Sequence, residues 1–172
     1  WSYTTGLDIY SSPAVSGGVV YVGSWDHNVY ALNASTGAKI WNYTMDRGVH
    51  SSPAVSGGVV YVGSTDHRVY ALNAYTGSQI WNYMTGDDIY SSPAVSGGIV
   101  YIGSEDYNVY ALNASTGSQI WNYTTGGYVE SSPAVSGGSV YVGSWDGKVY
   151  GLNASTGEFI WSYTTGGGVY SS

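Results

Sequence analysis

Two groups of side chains in this sequence could carry chemistry. The first is acidic and imidazole. Ser24, Asp26 and His27 are the residue types of a hydrolytic triad, but they are near neighbours in one short segment, and nothing else positions a base and an oxyanion hole. His27, His67 and His50 are metal-ligand types scattered over separate segments. Glu130 with Asp87 or Asp88 could contribute to a Ca²⁺ site, although no dense carboxylate loop of EF-hand type is present. The second group is aromatic. Trp25 and Trp145 each precede an Asp and could stack on a sugar ring or a partner protein.

The elements that must hold these residues follow from a repeat. Trp1, Trp41, Trp81, Trp121 and Trp161 are spaced 40 residues apart without an insertion. Ser-Ser-Pro-Ala-Val-Ser-Gly-Gly recurs unchanged from Ser11, Ser51, Ser91 and Ser131. Each period reads as four short strands, bounded by Gly, Asn, Asp and Ser. In the first period they cover Ile9 to Val15, Val19 to Ser24, Asn28 to Asn33 and Lys39 to Thr44. No helical periodicity is present. Both faces of each strand set are apolar or aromatic, so each sheet must be sandwiched by its neighbours. The expected fold is all-β. It is a β-propeller of 40-residue, four-stranded antiparallel blades, at about 6–45, 46–85, 86–125 and 126–165. Partial blades remain at 1–5 and 166–172, and the chain opens on Trp1 rather than Met. It is therefore expected to be half of an eight-bladed ring or an excerpt of a longer array.

The link from the third to the fourth strand reads Ala31-Leu32-Asn33-Ala34-Ser35-Thr36-Gly37-Ala38-Lys39-Ile40-Trp41. It resembles the tryptophan-docking motif of the pyrroloquinoline-quinone-like (PQQ-like) β-propeller family. The motif recurs at 71–81 and 111–121, and again at 151–161 with Gly151 in place of the first Ala. The resemblance implies that Trp41, Trp81, Trp121 and Trp161 pack against neighbouring blades. Gly37 can take a positive φ, and Asn33 and Thr36 can bond the turn backbone. The family includes quinoprotein dehydrogenases, an outer-membrane assembly scaffold and repeat proteins of bacterial and archaeal cell surfaces. Near-identical blades look most like the last of these. The enzymes need an acidic base, Ca²⁺ ligands and cationic groups around the quinone. With only two Arg and no Cys, this chain is expected to bind no cofactor, quinone included.

Comparing the four copies with one another localises the variation. One variable place is the link into each first strand, which carries Tyr10, His50, Tyr90 and Glu130 in equivalent positions. The other is the hairpin between the second and third strands. It carries Trp25 and His27, then Arg68, then Glu105 and Tyr107, then Trp145 and Lys148. Asp26, Asp66, Asp106 and Asp146 do not vary there and read as turn caps. In an up-and-down blade both connections emerge on one face, which then holds 13 of the 15 charged residues. Tyr10, His50, Tyr90 and Glu130 should lie at the mouth of the central channel. The variable residues are the candidate ligand- or partner-binding set, because loops on a rigid scaffold carry function.

Composition narrows the classes. The 172 residues carry a net charge of −7, which argues against nucleic acid and anionic membrane as partners. No apolar run approaches the ~18 residues of a membrane span. The absence of Cys excludes disulfides and thiolate chemistry. Few Lys, many Tyr, Ser, Thr and Gly, and Asn-x-Ser/Thr acceptor patterns suit an extracellular or cell-surface protein. The expected role is a non-catalytic structural or protein-interaction module, with a glycan- or small-ligand-binding module as the alternative and a quinone-dependent oxidoreductase last. Expected partners are further copies of the chain or adjoining blades, with a glycan or a surface protein as candidates.

Overall fold

The computed structural model describes residues 1–171. Among these, sixteen strands form four separate sheets, each antiparallel and in sequence order. The first sheet contains β1 (Ala14–Ser16), β2 (Val19–Gly23), β3 (Asn28–Asn33) and β4 (Lys39–Thr44). The second contains β5 (Ala54–Ser56), β6 (Val59–Gly63), β7 (Arg68–Asn73) and β8 (Gln79–Met84). The third contains β9 (Ala94–Ser96), β10 (Ile99–Gly103), β11 (Asn108–Asn113) and β12 (Gln119–Thr124). The fourth contains β13 (Ala134–Ser136), β14 (Ser139–Ser144), β15 (Lys148–Asn153) and β16 (Phe159–Thr164). This is the expected propeller of four blades.

Alternation along each strand builds the core. Tyr21, Val29, Ala31 and Trp41 of the first blade face the second, where they meet Val60, Val62, Tyr70 and Leu72. The same packing recurs between the second and third blades and between the third and fourth. No apolar cluster joins the fourth blade to the first among the described residues, so the blades form an open arc. No helix is long and apolar enough to cross a membrane.

The innermost strands are shorter than expected: β1 covers Ala14–Ser16, not Ile9 to Val15. Pro13 has no N–H for a ladder, and the serines before it bond elsewhere. Ser11 Oγ donates to the Gly23 carbonyl at 2.8 Å and accepts from the Gly23 N–H at 2.9 Å, tying β1 to β2. The second serine ties blade to blade. The N–H of Ser12 donates to Ser52 Oγ, that of Ser52 to Ser92 Oγ, and that of Ser92 to Ser132 Oγ, at 2.8, 2.9 and 3.0 Å. The unvarying Ser-Ser pair is therefore both the seam within a blade and the line of bonds that follows the axis from blade to blade.

The outer edge follows the same economy. The Asn33 carboxamide oxygen accepts from the N–H groups of Ser35 and Thr36 at 2.9 and 3.0 Å. Gly37 takes a φ of 73°, as its turn requires. A bulge at Ile40 sets Trp41 opposite Ala31, so Trp41 points toward the second blade.

Candidate functional site

The links and the hairpins interleave on one face of the arc. Trp25 N–H donates to the Asp8 carbonyl at 2.9 Å, and Val49 N–H to the Ser24 carbonyl at 3.0 Å. Each hairpin is thus held between the link before it and the link after it. Val49, Ile89 and Val129 are fully buried, each where a Cβ on Gly23, Gly63 or Gly103 would stand.

The invariant aspartates are anchors on this face. Asp66, which is buried, accepts from the N–H of Arg68 at 3.1 Å, the N–H of Asp46 at 3.2 Å and the Tyr70 hydroxyl at 2.7 Å. Asp26 accepts from Gly6, Asn28 and Tyr30 in the same way. Asp146 does so from Gly126, Lys148 and Tyr150. Burial works against the charge on Asp26, and its hydrogen bonds overcome that, so its pKa lies below the usual range. Burial, then the bond to Asp26, pushes Tyr30 up to about 12. Each carboxylate therefore clasps its own turn, the next strand and the preceding link. Ser24 is also committed, donating toward the Leu7 and Asp8 carbonyls and accepting from Asp26 N–H. Ser24, Asp26 and His27 do not form a triad.

Tyr10, His50, Tyr90 and Glu130 do converge. With Tyr170 and the serines Ser12, Ser52, Ser92 and Ser132, they line one open axial cavity of about 610 Å³. The rings form a ladder. Tyr10 stacks on His50 with centroids 4.9 Å apart and planes 9° apart, and His50 meets Tyr90 edge-on at 5.1 Å. Burial holds the His50 pKa below the usual range, against the pull of Glu130. Glu105, on the hairpin of the third blade, lies within hydrogen-bonding reach of Glu130. Burial, that bond and the charges of Glu130, Asp88 and Asp87 push Glu105 up to about 7. Glu105 thus faces an acidic neighbour across the junction of the third and fourth blades.

The remaining variable residues have separate settings. Trp25 packs where a Cβ on Gly48 would stand and meets Tyr10 and His50 edge-on, so it supports the ladder more than it offers a free face. Trp145 is 43% exposed and meets Tyr128 and Tyr170 at 5.3 and 4.8 Å. His27 and Tyr107 stand at hairpin tips with φ of 74° and 72°, and Tyr107 lies against Tyr128. Arg68 pairs with Asp46 at 3.6 Å. Lys148 caps Asp146 through its backbone N–H.

The three histidines are not brought together. His50 lines the axial cavity and His27 is exposed on its turn. His67 Nδ1 faces Asp88 and Asp87 at 3.3 and 3.6 Å, while Arg47 reaches Asp88 at 3.9 Å. His67, Asp87 and Asp88 could offer three ligand atoms to a cation. That falls short of the six or more oxygens that Ca²⁺ takes. Among the described residues, only the junction of the second and third blades sets a hairpin His against two adjacent link carboxylates. The copies show this when aligned, because Arg47-Gly48 and Gly127-Tyr128 occupy the equivalent link positions.

A family model described as outer membrane protein assembly factor BamB matches residues 1–91 and again 86–171. The chain belongs to this family. Among solved structures, BamB from Moraxella catarrhalis superposes with a TM-score of 0.83 at 24% identity, over 94% of this chain and 52% of that one. Quinohemoprotein alcohol dehydrogenase ADHIIG from Pseudomonas putida HK5 superposes with a TM-score of 0.86 at 26% identity, over 94% of this chain and 35% of that one. The computationally designed Ika8 protein matches at 18% identity with a TM-score of 0.84, over half of its chain. No curated protein sequence gives a significant match. This chain of the BamB family therefore spans about half or less of the solved proteins it resembles.

The dehydrogenase relatives raise the question of a quinone. Pyrroloquinoline quinone is a tricarboxylate, and a site for it needs cations. The axial cavity of this BamB-family chain is lined by tyrosines, serines, His50 and Glu130, with no Arg or Lys. These residues do not fit that group.

Proposed function

We propose that this chain is a non-catalytic propeller module that acts outside the cell, as a structural or protein-interaction element. It engages its partner through the charged face around the axial mouth. The observation that carries this reading is the rim itself. The Tyr10–His50–Tyr90 ladder and Glu130 meet at one open cavity, while the serines and aspartates around them are spent on internal bonds. Aromatic rings beside Glu130, with no Arg or Lys in the cavity lining, suit a basic polypeptide segment. The resemblance to BamB supports an interaction role. Trp41, Trp81 and Trp121 are read as the docking residues of the tryptophan motif, holding the scaffold rigid beneath this face. The composition supports an extracellular or cell-surface setting.

The test is a fluorescence titration with peptides rich in Lys, Arg and aromatics, against acidic peptides of equal length. Binding should favour the basic set, weaken with salt, and weaken again in Glu130→Gln. Salt-insensitive or absent binding counts against the reading. Turnover of alcohols or sugars on addition of quinone and Ca²⁺ would replace it with an oxidoreductase.

The exposure of Trp145 beside Tyr170 supports a second reading, a glycan-binding module. A glycan array with wild type and Trp145→Ala decides it.

A further inference from the structure

Residues 1–6 and 161–166 are both Trp-Ser-Tyr-Thr-Thr-Gly. No other blade has this hexapeptide, since the equivalents read Trp-Asn-Tyr-Thr-Met-Asp, Trp-Asn-Tyr-Met-Thr-Gly and Trp-Asn-Tyr-Thr-Thr-Gly. The two copies have opposite fates. The first is seated on blade one in the way each outer strand is seated on the blade after it. Trp1 Nε1 donates to the Ala34 carbonyl at 3.0 Å, and its ring lies where a Cβ on Gly37 would stand. Tyr3 meets Tyr30 at 5.4 Å and 57°, and Tyr43 meets Tyr70 at 5.8 Å and 56°.

The second copy belongs to β16 and has no such seat. Trp161 is 42% and Tyr163 68% exposed, on an edge continued by Phe159 and Ile160. Trp121, its counterpart one blade earlier, is 7% exposed and bonded to the Ala154 carbonyl at 2.9 Å. The holding is unequal too. β16 is paired along its length to β15, whereas residues 1–5 form no strand. Side-chain contacts alone keep residues 1–5 in place.

We propose that the slot on blade one accepts β16 of a second copy of this chain, whose Trp161 and Tyr163 displace Trp1 and Tyr3 from Ala34, Gly37 and Tyr30. Sequence identity makes the contacts interchangeable. The incoming strand brings a whole blade behind it, so it buries more apolar surface than the segment it replaces. At the same junction Ile9 of the accepting copy, 45% exposed in the single chain, replaces the second copy's Val169 over its Gly143. The contact joins unlike surfaces, head to tail, so two copies close on themselves and unclosed copies would propagate. Residues 1–5 act as a weak internal competitor that sets the concentration at which copies join.

Light scattering and sedimentation of the 172-residue chain test this. The full chain should pass from its 18.2 kDa mass to twice that value as concentration rises. Removing residues 1–5 should tighten association by roughly tenfold or more, about 1.4 kcal/mol. Trp161→Ala should weaken it by a similar factor while leaving the single chain folded. The free peptide Trp-Ser-Tyr-Thr-Thr-Gly should dissociate the truncated dimer, and a scrambled peptide should not. A single-chain mass at all concentrations overturns the proposal. So does association that ignores both Trp161→Ala and the peptide, which would mean adhesion of exposed apolar surface.

Discussion

The indole N–H of Trp41 donates to the carbonyl oxygen of Ala74 at 2.9 Å, and its ring fills the place where Gly77 would otherwise carry a Cβ. One side chain thus joins two blades through a hydrogen bond and a flat contact. Trp81 with Ala114 and Gly117, and Trp121 with Ala154 and Gly157, repeat it. Trp81→Ala should therefore cost about 3–5 kcal/mol of stability in urea unfolding. Trp161→Ala, measured on the dissociated chain, should cost well under half of that, because its ring covers no following blade. Equal losses at the two positions would refute this account of the junction.

Gly77→Ala probes the other half of the contact. The added methyl group would meet Trp41 at 2.7 Å, at a φ of 73°. The left-handed backbone alone costs about 1–2 kcal/mol for a residue with a Cβ, and the displaced indole adds to it. The loss should exceed that of Gly57→Ala, which has a φ of 57° and open space around it. Paired unfolding curves give the comparison.

His27 sits exposed at a φ of 74°, and the fourth blade places Gly147 at the same turn position with a φ of 77°. His27→Gly should stabilise the chain by about 1 kcal/mol, and Gly147→Ala should destabilise it by a similar amount. Thermal unfolding of the two variants gives the signs. A loss of stability in His27→Gly would mean that the imidazole makes contacts worth more than the backbone strain.

The Glu105–Glu130 pair predicts a pH dependence. The Glu105 pKa rises from 4.5 to about 7 on folding, so the folded state holds a proton that the unfolded chain releases earlier. Its contribution is full below about pH 4.5 and declines as pH rises through about 7. Stability of the wild type should fall across that window, and Glu105→Gln should flatten the profile. A wild-type curve that rises from pH 5 to 8 relative to Glu105→Gln would contradict the raised Glu105 pKa.

Much of this was legible from residue types and spacing. The period placed every blade, and the Asn33–Gly37 turn could be written down from side-chain chemistry. The mouth position of Tyr10, His50, Tyr90 and Glu130 followed from topology alone. What escaped was contact between copies of the repeat. Nothing within one period announces that the Ser12 N–H donates to Ser52 Oγ of the next blade. The position of Trp25 depended on Gly48, a residue of the following link, and so its packing could not be read from its own hairpin. The Glu105–Glu130 pairing needed the relative height of two neighbouring blades. Local chemistry is encoded within 40 residues, but the partners across a junction are fixed by how far one blade is rotated from the next.

All three junctions place the same atoms of one period against the same atoms of the next. A gene built this way tolerates a particular kind of accident. Unequal crossing-over between near-identical repeats adds or removes DNA in multiples of 120 base pairs, which corresponds to the 40-residue spacing of Trp41, Trp81 and Trp121. Every such event keeps the reading frame and leaves each internal tryptophan opposite an Ala carbonyl and a Gly. An insertion or loss of one whole period between these junctions would therefore preserve the contact of each internal tryptophan with an Ala carbonyl and a Gly.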